Sequence, residues 1–390
     1  MMAWGVQRKF EVIERVEAND DKLTTVSVMS MRRITDDQCK QLLTALKGNT
    51  HVKDFSISRA FNDDLLRGFA DMLAENATLT TLSPGNSSLG DAGFAALLNG
   101  IVASKSLQSL NMEHRGLTPE SASAIRACFF QSHLRHLNLA SNTLTGALAA
   151  ALSQRQENGG AARVSGLEEL NLSSTSLTAH DGRALAAAIS AGHLPSLTTL
   201  DLSNNAMLGA AACDVLRAAA ASSHVTTLDL SSTGMGGSGG GGGVDSDDVS
   251  GVGAALLDAF SSPNSQLKVL KLESCGLTRA ALSPLTAARL ESPARLAVFS
   301  LAANDGVKDV DLVHIVTKVV HAECLDLGQC GLSPGQAAAI IQALPASTRK
   351  CRLFGNAIID TSDDDVNALL DATCAHLEDL DLGGYGLSQE

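Results

Sequence analysis

Aromatic side chains are scarce in this sequence: 3% of 390 residues, with one tryptophan and one tyrosine. A chain so poor in rings has few anchors for an aromatic-centred interface or a bulky ligand pocket. A basic excess is also missing. Acids outnumber bases 42 to 29, for a formal net charge of -13, whereas a nucleic-acid footprint shows a basic patch or stripe. No apolar run approaches the roughly 18 residues of a membrane helix. The start, MMAWGVQRKFEVIERVEANDDKL, is charged early and has no apolar signal core. None of the eight cysteines sits in a CxxC pair, so neither a disulfide scaffold nor that type of metal site is expected, and a reducing compartment is.

Catalytic signatures are missing as well. No glycine-rich phosphate loop leads into Lys-Ser or Lys-Thr, and GGSGGGGG lacks the strand-to-helix setting that a phosphate fingerprint needs. Asp245, Asp247 and Asp248 lack the other spaced ligands of a calcium loop. His133 and His136 flank a strand leucine near Cys128, short of the ligand set a zinc ion requires. Enzymatic activity, a cofactor and a bound metal are therefore not expected.

What the chain does have is leucine and alanine in a repeating order. Leu167, Leu170 and Leu172 are followed by Thr175 and Leu177, then by an alanine-rich helical stretch. The same phrase returns at Leu197, Leu200 and Leu202, 30 residues on. A period of this size marks a repeat architecture. The position of Leu172 recurs at Val28, Ile57, Pro84, Met112, Leu139, Leu202, Leu230, Leu272, Leu301, Leu327, Leu353 and Leu382. Pro84 lacks the N–H that a central strand needs and predicts a local ladder defect. One long gap, between Leu230 and Leu272, holds MGGSGGGGGVDSDDVSG, expected to be a flexible loop. Another small polar bulge is expected around Gln156–Ala161.

In LxxLxL the leucines face inward and the residues between them outward, because a strand alternates sides. Strands at about 4.8 Å spacing need less room than helices about 10 Å wide, so the stack should curve with the sheet inside. The expected fold is α/β: a curved leucine-rich repeat solenoid, a horseshoe with a parallel inner sheet, outer helices and about thirteen repeats. Asn142, Asn205, Asn304 and Asn356 fall where a buried amide can serve backbone groups left open as the strand turns. Thr175, Thr233, Cys275 and Cys330 take that position elsewhere, which gives the two cysteines a structural role. Residues 1–22 are expected to form an entry or capping segment. Residues 23–390 form the repeat domain, interrupted at 235–251.

On these residues the chain resembles the leucine-rich repeat superfamily, ribonuclease-inhibitor type, over roughly residues 23–388. That resemblance implies a protein-binding fold. Leu42–Leu82 also resembles the repeat domain of tropomodulin and leiomodin, through Asn49-Thr50, Val52, Phe55-Ser56, Asn62-Asp63, Asn76 and Thr78-Leu79. Tropomodulins cap actin pointed ends, and their repeat domain supplies one actin contact. The sequence departs from theirs in having many more repeats, and the long tropomyosin-binding N-terminal region is not expected here.

The outward positions name a candidate protein-binding set: His136, Glu169, Asn171, Thr199, Asp201, Thr227, Asp229 and Lys271. Its middle is acidic, which suits a basic partner. The expected function is that of a non-catalytic interaction scaffold, set by analogy in the cytoplasm and in a cytoskeletal or flagellar assembly. The alternatives are a tropomodulin-like regulator of actin pointed ends and a ribonuclease-inhibitor-like binder of a basic protein. Nucleic acid and membrane are not expected as partners. Leu380, Leu382, Tyr385 and Leu387 are expected to close the C-terminal end or to meet a partner there.

Overall fold

The computed structural model describes residues 11–29, 34–153, 165–237, 250–356, 363–372 and 375–384. The insertion Met235–Gly251 is described only at its two ends, and Asp245, Asp247 and Asp248 lie outside the described residues. So do Phe10, the polar bulge Gln156–Ala161, Tyr385 and Leu387. The chain forms two compact units. One holds residues up to Asn171 together with Leu194–Ser196; the other holds Leu172–His193 and Leu197 onward.

Each unit is a leucine-rich repeat solenoid, as the spacing predicts. In the first, the strands are β1 Thr25–Val28, β2 Asp54–Ile57, β3 Thr81–Pro84, β4 Ser109–Asn111, β5 His136–Asn138 and β6 Glu169–Asn171. They pair in parallel in chain order. In the second come β7 Thr199–Asp201, β8 Thr227–Asp229, β9 Val269–Lys271, β10 Ala294–Ser300, β11 Val320–Asp326, β12 Lys350–Arg352 and β13 Asp379–Asp381. These also pair in parallel and in order. Parallel neighbours need a crossover, and each repeat supplies one on the far side of its strand.

The alternation explains the core. The middle leucines Leu110, Leu137, Leu170, Leu200, Leu228 and Leu270 are all buried. Helices meet them with one apolar stripe. Asp63–Glu75 buries Leu65, Leu66, Phe69, Met72 and Leu73, the spacing of a single helical face. Its Asn62 cap accepts the Leu65 N–H at 3.0 Å. Phe69 stacks on Phe55 with ring centroids 5.6 Å apart. Two close approaches need glycine. A methyl group on Gly100, in the helix Gly90–Ala103, would overlap the Ala70 carbonyl oxygen of the preceding helix. One on Gly236 would overlap backbone of Cys275 and Gly276.

The asparagines serve as expected, and they follow a rule. Each accepts two N–H groups from the turn before its own. Asn205 Oδ1 accepts from Thr175 and Leu177, both at 3.0 Å. Asn304 accepts from Cys275 and Leu277, Asn142 from Arg115 and Leu117, and Asn356 from Cys330 and Leu332. Their amides donate back to strand-end carbonyls of both turns. Turns without an asparagine use a smaller donor. The Thr175 hydroxyl donates to the Leu172 carbonyl at 2.6 Å and the Cys275 thiol to the Leu230 carbonyl at 3.1 Å.

Two features depart from the simple repeat. β3 pairs with β2 through Pro84, but with β4 only at Thr81 and Leu82. The missing proline N–H ends that ladder. Arg115 bridges the gap: its Nε donates to the Pro84 carbonyl at 2.6 Å and its Nη2 to Ser83 Oγ at 3.0 Å. In the other unit, β10 and β11 are longer than their neighbours and pair back to Ala294 and Val320. A π-helical turn, Ile315–Val319, feeds β11 directly. The β-branched Val319-Val320 run favours extended backbone over a longer helix.

Candidate protein interface

The residues between strand leucines face outward, and the structure places the candidate set in two groups. In the first unit His136 stands opposite Glu169, and Asn138 opposite Asn171, across the β5–β6 register. His136 Nε2 lies 3.9 Å from Glu169 Oε1. Both side chains are open to water. In the second unit Thr199 pairs with Thr227 and Asp201 with Asp229. Asp229 in turn stands beside Lys271, and Thr227 beside Val269.

Several of these polar residues already have a task within the fold. At the outward position between the last two leucines, an Asn or Asp accepts the backbone N–H two residues ahead. Asn111 takes Glu113 N–H, Asn138 takes Ala140, Asp201 takes Ser203 and Asp229 takes Ser231. Asp326 and Asp381 do the same for Gly328 and Gly383. This is the Asx turn, which satisfies an amide as the strand ends. The chain then swings into left-handed backbone one residue further on, as at Ser141, Asn204, Ser232, Ala303 and Gln329. The repeated Asp and Asn therefore have a structural cause. A basic partner is not needed to explain them.

The charges partly cancel. Lys271 Nζ lies 3.4 Å from Asp229 Oδ2, and Arg352 Nη1 lies 3.7 Å from Asp326 Oδ2. In the first unit Arg135 holds Glu168 at 2.6 Å. The acidic residues of the second unit's inner face are thus interleaved with cations. The middle row reads Thr199, Thr227, Val269, Val298, Cys324 across β7–β11.

Chemistry finds little footing. Burial pushes the Cys128 thiol up to about 12 and the Cys330 thiol up to about 11. Such thiols are poor nucleophiles at neutral pH. Among the described residues no three His, Cys, Asp or Glu side chains are grouped to hold a metal ion. A cleft of about 440 Å³ lined by Val16, Glu17, Gln41 and Thr44 holds no nucleophile–base pair that the structure joins. Among the described residues no helix is long and apolar enough to cross a membrane.

Sequence reasoning missed a second set of buried amides, at the entry to the strands. Asn49 Oδ1 accepts from His51 and Val52, and its Nδ2 donates to the Val16 carbonyl at 3.1 Å. Asn76 repeats this with Thr78, Leu79 and the Leu46 carbonyl. Ser104 Oγ takes the same place one repeat later, accepting from Leu107. The Asn-Thr and Asn-x-Thr-Leu phrases were the visible signal. They carried the family resemblance without revealing these bonds.

Two family models match the chain. A model described as the TMOD/LMOD leucine-rich domain matches residues 10–119. A leucine-rich repeat model matches residues 130–153, 193–213 and 221–241. Tropomodulin-4 of Homo sapiens is 28% identical over 113 residues, 29% of this chain and 33% of that protein. Leiomodin-2 of Gallus gallus is 28% identical over 106 residues, 27% of this chain and 19% of that one. The match thus spans a third or less of these relatives' length. Among solved structures, leiomodin-1 actin-binding site 2 is 26% identical, covering 33% of this chain and 76% of that one with a TM-score of 0.27. The Caenorhabditis elegans tropomodulin C-terminal domain is 19% identical, covering 33% and 79%, with a TM-score of 0.28.

Proposed function

We propose that this chain, a leucine-rich repeat protein with a tropomodulin- and leiomodin-like repeat segment, engages actin through its first repeats. The observation that supports the reading is a coincidence of boundaries. The TMOD/LMOD match ends at residue 119. The entry-side amides Asn49 and Asn76, with Ser104 after them, lie inside that stretch. From Asn142 onward the buried asparagines sit at the strand exit instead. The first repeats thus place buried amides at the strand entry, where later repeats carry the hydroxyls of Ser132 and Ser165, and it is these first repeats that resemble the actin regulators. Repeat surfaces of this kind bind proteins, and the remaining repeats extend that surface in each unit. In this reading His136, Glu169 and Asn171 in one unit, and Thr199, Asp201, Thr227, Asp229 and Lys271 in the other, belong to a separate scaffold surface.

The test uses the full chain in actin pelleting and in pointed-end elongation from capped filament seeds. The expected result is slower pointed-end growth at micromolar protein. Unchanged growth and no co-pelleting at that concentration would overturn the actin reading and leave the general interaction role.

A further inference from the structure

We propose that the open edge of β13 takes an extended segment of a partner protein as an added parallel strand, one that sets lysine or arginine between leucine-like residues. The site lies outside the tropomodulin-like stretch and does not depend on actin binding.

The argument starts from the edge itself. The strands follow one another in chain order, so β13 pairs with β12 on one side and, among the described residues, with no strand on the other. Its inward row is open as well. Leu380 is 36% exposed, whereas Leu200, Leu228 and Leu270, at the same position of other turns, are fully buried. Leu377 and Leu382, on either side of it in the repeat phrase, are half-buried. A strand edge with unpaired N–H and C=O groups beside an open apolar row is a template for strand addition.

The charges specify what the added strand carries. In the column after the middle leucine, an aspartate divides its two oxygens. Asp229 Oδ1 accepts the Ser231 N–H, while Oδ2 lies 3.4 Å from Lys271 Nζ on the following strand. Asp326 Oδ1 accepts the Gly328 N–H, while Oδ2 lies 3.7 Å from Arg352 Nη1, again on the following strand. Asp381 repeats the first half of this arrangement, its Oδ1 accepting the Gly383 N–H at 2.9 Å. Arg352 turns back to Asp326, and among the described residues no cation pairs with Asp381. In this column Asp201 alone is followed by another acid, Asp229. The whole of β13 is acidic beside a basic neighbour: Asp379 stands opposite Lys350 and Asp381 opposite Arg352. Both aspartates are exposed. Opposite charges on facing strand positions attract and like charges repel. A basic strand on the open side therefore continues the order and supplies the cation that Asp381 lacks. A second copy of β13 does not fit. Turned about Leu380, it would set Asp379 against Asp381. The six residues after Gly384, YGLSQE, contain no base either.

Four labelled synthetic peptides test this with the full chain by fluorescence anisotropy. The first carries the phrase Leu-Lys-Lys-Leu-Lys-Leu between neutral ends, and the second has Glu for each Lys. The other two are the lysine peptide, N-methylated on one or the other alternate set of backbone amides. The lysine peptide is expected to bind about tenfold more tightly than the glutamate peptide. An added strand turns only every second N–H toward the edge, so one methylated set should abolish binding and the other should leave it. Asp379→Asn combined with Asp381→Asn should erase the preference for lysine. The turn survives this change, since Asn111 and Asn138 accept the same backbone N–H elsewhere. Equal affinity for the lysine and glutamate peptides, no binding, or a preference that survives the two Asn substitutions would overturn the proposal. Equal effects of the two methylated sets would assign the attraction to charge alone. Self-association in sedimentation that the lysine peptide disperses would assign the edge to a second copy. Either result would refute the partner strand.

Discussion

Replacing Asn205 with alanine should cost far more than the loss of one surface amide. Asn205 is fully buried. Its Oδ1 is the acceptor for the Thr175 and Leu177 N–H groups, and its Nδ2 donates to the carbonyls of Leu172, Leu202 and Ser203. In the alanine variant two buried N–H groups lose their acceptor. Each such orphan costs about 1–3 kcal/mol, so the expected loss is about 4 kcal/mol, concentrated in the Leu172–Leu208 repeats. Thr175→Val is the contrast. It removes one hydroxyl bond to the Leu172 carbonyl, which Asn205 still serves, and should cost about 1 kcal/mol. Urea unfolding followed by circular dichroism gives the global change. Repeat proteins open locally, so amide exchange at Thr175 and Leu177 gives the sharper reading. A cost below about 1 kcal/mol, or unchanged exchange at both amides, would refute the account of the asparagine ladder.

Gly100→Ala should force the helices Asp63–Glu75 and Gly90–Ala103 apart and destabilise the first unit by about 1–3 kcal/mol in urea; a neutral variant would mean that this contact is not tight. Burial pushes the Asp91 carboxyl up, but bonds from Ser121 and Thr118 outweigh it, and the net shift is downward. A folded-state value below the unfolded one adds stability above the ordinary carboxylate range, and that stability is lost as pH falls through the folded value. Urea midpoints of the wild type and Asp91→Asn should therefore differ at pH 5 and converge toward pH 2.5; parallel curves would contradict the assignment. Among the described cysteines only Cys324 is half-exposed. A disulfide reagent should modify it first in the native chain, with Cys39, Cys128, Cys213, Cys275, Cys330 and Cys351 protected until unfolding; mass mapping of the first adduct decides.

Much of the fold is legible in the leucines, because a strand's alternation and a helix's stripe are properties of short sequence windows. The exit asparagines were legible for the same reason: a polar residue at a fixed place in an apolar frame must be satisfied. The binding surface was harder to read. Asp201 and Asp229 look like an acidic face when strands are read alone. Only the backbone shows that each carboxylate is turned onto an amide two residues ahead. Arg115 could not be assigned to Pro84 from sequence, since the two are 31 residues apart and meet only when neighbouring turns stack. The lengthened β10 and β11 were hidden because β11 begins Val320-His321-Ala322, without the opening leucine. Val269, Val298 and Cys324 were visible as outward positions, yet only their register across three strands makes them a stripe.

The direction of the asparagine ladder has a consequence for how the chain is made. Each amide completes the turn that precedes it, 24 to 30 residues earlier in the chain. During synthesis at about 5–20 residues per second, a finished turn waits roughly 1–6 s for the acceptor that will close it. Until then its two amides must stay hydrated, which keeps the newest turn loose and open. Growth at the ribosome and order in the solenoid therefore advance together, one repeat out of step. A stall within a repeat that carries such an asparagine leaves its predecessor, rather than itself, as the vulnerable segment.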